Sequence, residues 1–113
     1  MVRSLYIAAA VLLAIGSPHA QTLRGASARG KKIAEMNCQK CHAIDRVSAS
    51  ANPKSPPFRT LSQRYPLDQL EEALNEGIMV GHDGPEMPFF RLRPPQIADL
   101  LAYLRTIQSR AGK

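Results

Sequence analysis

The sequence predicts a single all-α domain of three to five helices, and three observations predict it. Apolar residues recur every three to four positions in several segments, the period of a helix with one buried face. Nine prolines and seven glycines in 113 residues fall largely between those segments and interrupt them. No stretch shows sustained strand alternation or a hairpin turn, and there is neither an internal repeat nor a low-complexity block.

The first twenty residues read as a leader rather than as fold. Met1-Val2-Arg3 is a short positive start, residues 5–15 are an unbroken apolar run, and Ser17-Pro18-His19-Ala20 ends it. That order marks a secretory signal peptide. The run is well short of the roughly 20 apolar residues a spanning helix needs, so no integral membrane span is expected. A retained N-terminal anchor is the alternative. Ala20 is a good residue to cut after, and Pro18 before it is a poor one. The expected division is a signal peptide at 1–20 and one domain at 21–113.

A mature chain of 93 residues is marginal, because small chains bury a low fraction of their surface. Such domains often need a disulfide, a metal or a large apolar cofactor as a staple. The only cysteines are Cys38 and Cys41. A bridge across so short a loop removes little entropy from the unfolded chain. The staple is therefore something the cysteines hold.

The chain has fifteen Lys and Arg against nine Asp and Glu; the leader takes only Arg3, leaving a formal +5. The positive residues are scattered (Lys31, Lys32, Lys40, Arg46, Lys54, Arg59, Arg64, Arg91, Arg93). Such a scatter suits a soluble surface, or an acidic partner reached by electrostatic steering. With few aromatics and an export address, nucleic acid is not an expected partner.

Each element follows from local chemistry. Residues 21–26 are polar and expected to be unstructured, with Ser27 capping a helix over 28–36. On that helix Ile33 and Met36 share a face, and Gly30, one turn earlier, would let another helix approach closely. Residues 48–57 hold Pro53, Pro56 and Pro57 and read as a loop. Residues 58–65 form a short helical stretch that Pro66 interrupts. Pro66 opens the next helix, with Asp68, Glu71 and Glu72 early and Leu67, Leu70 and Leu74 on one face, until Gly77 stops it. Residues 80–88 are an irregular loop with two glycines and two prolines. Pro94-Pro95 opens the last helix, whose apolar stripe is Ile97, Leu100, Leu101, Leu104 and Ile107.

Cys38-Gln39-Lys40-Cys41-His42 carries the chemistry. At the end of a helix the two thiols lie about one turn apart, where they can add to the two vinyl groups along one edge of a haem. His42 then offers an imidazole nitrogen to the iron, and the spacing reads as c-type haem attachment. A structural zinc site wants four ligands, and Cys38, Cys41, His42 and a distant His82 would be an unusual set. A thioredoxin-like pair belongs in an α/β pattern, which is missing. A plain disulfide leaves His42 and the small core unexplained.

The second axial ligand must come from distant sequence: Met36, Met79, His82 or Met87. Met36 and Met79 default to packing, and His82 to a solvated loop. Pro88 disfavours helix at Met87, leaving extended backbone that can aim the thioether inward. Met87 is favoured, with His82 and Met79 as alternatives.

The chain also resembles a known family. Gly30-Lys31-Lys32-Ile33, Cys38-Gln39-Lys40-Cys41-His42, Ser55-Pro56-Pro57-Phe58, Met87-Pro88-Phe89-Phe90 and the closing Ile97-Ala98-Asp99-Leu100-Leu101-Ala102-Tyr103-Leu104 are similar to segments of class I c-type cytochromes, the small bacterial periplasmic monohaem group. The resemblance implies the small class I cytochrome c fold, helices wrapped around one covalently bound haem c, and a periplasmic location. It implies that Gly30 and Ile33 pack against Leu100, Tyr103 and Leu104. It implies that the Pro56 carbonyl accepts a hydrogen bond from His42, and that Met87 is the axial methionine. Ser55 stands where the family often has a glycine, and Pro57 is the neighbour of Pro56.

Histidine and methionine together saturate iron, and the soft thioether raises the potential. The expected function is a single-electron carrier rather than an enzyme, meeting acidic redox partners through small, short-lived interfaces. The alternative is the haem subunit of a periplasmic oxidoreductase acting on sulfur compounds or alcohols. A gas-binding or peroxidase-like protein with an open iron site ranks below both.

Overall fold

The computed structural model describes residues 16–76, 87 and 91–110. Among the described residues, three α-helices and one 3-10 segment make up the regular structure: α1 (Pro18–Asn37), the 3-10 segment Phe58–Gln63, α2 (Leu67–Glu76) and α3 (Pro94–Ile107). Among the described residues there is no strand. The all-α expectation holds.

α1 begins earlier than its sequence suggests. Ser27 does not cap it; the helix starts at Pro18, with proline in the first turn where its missing N–H costs nothing. Residues 21–26, expected to be unstructured, are helical. Once a helix is nucleated, each added residue gains a backbone bond for one fixed pair of dihedrals. The segment Gln21-Thr22-Leu23-Arg24 contains no strong breaker, so the helix extends through it. α1 therefore runs across the expected boundary at residue 20.

The buried positions of α1 are Gly30 and Ala34, and the stripe continues into Cys38. That four-residue spacing defines the inward face. Met36, two residues past Ala34, turns about 200° away from it at helical pitch. Met36 is 75% exposed, so the expectation that it packs inward with Ile33 is corrected; Ile33 is partly buried against the core.

α1 and α3 cross at Gly30. A Cβ placed there would lie 1.9 Å from the Asp99 carbonyl oxygen and 2.9 Å from the Tyr103 Cβ. Only glycine permits so close an approach. Beside the crossing, the Arg29 guanidinium grips Asp99 at 2.8 and 2.9 Å. α3 buries Ile97, Leu100, Leu101, Tyr103, Leu104 and Ile107, the expected stripe together with Tyr103. Its start is secured by Gln96, whose Oε1 accepts the Arg93 N–H at 2.9 Å. α2 lays Leu70 and Leu74 onto the same core. Pro66 precedes it and accepts the Gln69 N–H at 3.1 Å. Gly77 and most of the loop at 80–88 lie outside the described residues.

Candidate haem-attachment site

Helical turns continue from α1 into the motif. The Cys38 N–H bonds to Ala34 O at 2.9 Å, and Cys41 and His42 N–H groups bond to Cys38 O at 3.2 and 2.9 Å. One carbonyl thus organises the whole turn, bringing two thiols and an imidazole together without any long-range contact. The two cysteines are not bonded to each other. Cys38 is buried, and burial pushes its thiol up to about 11. It is protonated at neutral pH, whereas redox dithiols rely on a lowered pKa. That weighs against a thioredoxin-like pair.

His42 is 8% exposed. Its Nδ1 lies 2.8 Å from the Pro56 carbonyl oxygen. Since a carbonyl only accepts, Nδ1 carries the proton and the imidazole lone pair belongs to Nε2. This is the tautomer of a histidine that ligates metal through Nε2 while its other nitrogen is held by the protein. The ring of Phe58 packs beside it, centroids 4.7 Å apart and planes tilted by 34°.

The loop after the motif folds back on it through backbone bonds. Asn52 N–H reaches Cys41 O at 3.1 Å and Phe58 N–H reaches Ala43 O at 2.9 Å. Ser50 Oγ accepts the Ala43 N–H at 2.9 Å. Asp45 receives the Val47 and Ser48 N–H groups at 2.9 and 2.6 Å, and the Ser48 hydroxyl as well. These bonds, the hydroxyl first, lower the Asp45 carboxyl to about 2. From α3, the Tyr103 hydroxyl donates to the Ile44 carbonyl at 2.6 Å, and Arg46 donates to the Thr106 carbonyl. The prolines that mark this segment as a loop gave no hint of these ties. The clue to the Tyr103 bond was a tyrosine at the edge of an apolar stripe, whose hydroxyl needs a buried partner.

Met87 is partly buried against the same core that contains Cys38 and Phe58. Met79 and His82, the alternative ligands, lie outside the described residues. Among the described residues no cluster of three or more His, Cys, Asp or Glu side chains is arranged to hold a metal ion. The donor set suits haem: two cysteine thiols and one oriented imidazole on a single turn, beside an apolar interior.

Fold and site together define a small all-helical domain organised around a haem-attachment turn. Comparison with known proteins agrees. The cytochrome c family model matches residues 27–108. A cytochrome c-553-like protein of Synechocystis sp. (strain ATCC 27184 / PCC 6803 / Kazusa) is 32% identical over 85 residues, covering 75% of this chain and 72% of that protein. No solved structure matches significantly. The chain belongs to the cytochrome c family, as a small class I c-type cytochrome. It carries covalently attached haem c and serves electron transfer as a redox partner of other proteins. Among the described residues no helix is long and apolar enough to cross a membrane.

Proposed function

We propose that this chain is an exported, periplasmic monohaem carrier in which Cys38 and Cys41 hold the haem through thioethers, and His42 and Met87 ligate its iron. The observation that carries the reading is the buried His42 with Nδ1 at 2.8 Å from the Pro56 carbonyl, on the same turn as Cys38 and Cys41. Bound haem supplies a one-electron ferric–ferrous couple. The protein's own residues do the rest. Pro56 keeps the proton on Nδ1 and so leaves Nε2 basic toward iron. Met87, partly buried against the core, would offer a soft thioether that favours the ferrous state. The apolar core around Cys38 and Phe58 excludes water and penalises the extra charge of the ferric form. If His42 and Met87 both hold the iron they would leave it no position for a substrate, and the haem would supply one-electron exchange with partner proteins alone.

Residues 1–20 supply the export address and are removed near Ala20 in this reading. The excess of positive charge on the remaining chain, a formal +5, supports acidic redox partners.

The test is an absorption spectrum of the exported protein, oxidised and reduced, including the weak near-infrared methionine-to-iron band. A c-type spectrum with that band, lost in Met87→Ala and kept in Met79→Ala, is the expected result. A c-type spectrum lacking the band in the parent moves ligation to His82 or to an open site. No haem in cells competent to attach it overturns the proposal.

A further inference from the structure

We propose that Phe58 is a positioning residue for His42: with its backbone carbonyl held by Gln108 just past α3, its ring sets the angle at which the imidazole plane meets the haem. This rests on the reading of His42 as the iron's axial ligand.

A hydrogen bond to a carbonyl does not by itself fix the rotation of an imidazole ring. A carbonyl oxygen accepts over a broad range of directions, so the Pro56 contact fixes where Nδ1 sits better than how the ring is turned. A restraint on the turn of the ring comes from Phe58, 4.7 Å away and tilted by 34°. That separation is within the range of attractive aromatic pairs, and any large turn of the imidazole would drive it into the Phe58 ring. Phe58 is itself only 8% exposed and cannot swing aside into solvent.

The backbone of Phe58 is held from both sides. Its N–H donates to Ala43 O at 2.9 Å, the residue next to His42. Its carbonyl accepts the Gln108 Nε2–H at 2.8 Å. Gln108 also donates to Leu104 O at 2.8 Å and accepts the Ser62 N–H at 2.9 Å. Next along, the Ser109 N–H bonds to Arg59 O at 2.8 Å. The last residues of the described chain thus hold the 3-10 segment in register, and that segment holds the ring against the imidazole.

The experiment uses the oxidised, haem-loaded protein and reads the haem-methyl resonances in its proton NMR spectrum. Their order and spread follow the unpaired spin density, which follows the plane of the axial imidazole. Phe58→Leu, which keeps apolar bulk without the ring, is expected to reorder these shifts or change their spread. Phe58→Tyr, which keeps the ring, is expected to retain the parental pattern. Gln108→Ala is expected to move the pattern in the same sense as Phe58→Leu, and it decides the matter if Phe58→Leu does not fold. Parental shifts in Phe58→Leu, whatever its melting temperature, overturn the proposal, as do parental shifts in Gln108→Ala where that variant decides. A Tyr variant that departs as far as the Leu variant overturns it too. If the parent carries no covalent haem, the reading of the site fails first, and this inference falls with it.

Discussion

Two side chains that hold the chain just past His42 carry distinct and measurable loads. The Tyr103 hydroxyl is the buried partner of the Ile44 carbonyl, two residues past His42. Burial raises its pKa, so it remains a proton donor at all ordinary pH values. Removing it in Tyr103→Phe leaves that carbonyl without this donor, at a cost of about 1–3 kcal/mol. Denaturant unfolding of the haem-loaded protein measures it, and an unchanged midpoint would show that the bond contributes nothing net. Asp45 responds to acid. Its carboxyl is held at about 2 by the Ser48 hydroxyl and the Ser48 and Val47 N–H groups, against about 3.9 in an unfolded chain. A depressed folded-state value means the contribution is complete above about pH 4 and disappears as pH falls through about 2. Melting curves of parent and Asp45→Asn should therefore differ most above pH 4 and converge by pH 2. A gap that stays constant across that range would remove the carboxylate from the account.

At the scale of elements, the α1–α3 crossing is the most demanding piece of geometry. A methyl at Gly30 would meet the Asp99 backbone at 1.9 and 2.5 Å, and a backbone cannot swing away as a side-chain tip can. Gly30→Ala must separate the helices, and about 1–3 kcal/mol or more of stability should be lost. Gly25→Ala, five residues earlier on α1, should behave oppositely. Its methyl would meet only the tip of the Arg29 side chain, at 3.3 Å, and alanine is the better helix former by about 0.5–1 kcal/mol. Paired melts of the two variants test this, and the same sign of shift in both would contradict it. The motif Gly30-Lys31-Lys32-Ile33 was enough to expect a close crossing here. The start of α1 was harder to read, because Ser27 is a chemically sound cap and local rules do not say whether a helix will use the first cap or run past it.

For the whole molecule, charge governs encounter. The chain is formally +6, with its positive residues spread rather than packed in a run. Electron-transfer rates with acidic partner proteins should fall as ionic strength rises from about 0.01 to 0.15 M, because the screening length shrinks from about 30 to about 8 Å. Stopped-flow kinetics across that range would show it, and a flat profile would argue for a neutral docking face. Stability is also a property of the whole, since one apolar cluster gathers side chains from all three helices, the 3-10 segment and Met87. Among the described residues no element has a core of its own.

The sequence by itself determined what is local. Cys38, Cys41 and His42 share one turn because they lie within five consecutive residues, and period 3.6 marked α2 and α3 with their buried stripes. The prolines at 66, 94 and 95 marked where those helices open. Only the tertiary structure decided what depends on pairing across distance. Pro56 rather than Pro57 presents its carbonyl to His42, 14 positions away. Tyr103 reaches Ile44 across 59, Gln108 reaches Phe58 across 50, and Met36 faces outward because Gly30, Ala34 and Cys38 took the inward stripe. The physical reason is that periodicity encodes which residues share a face. Which face meets which is settled when every buried side chain and polar group must find its partner at once.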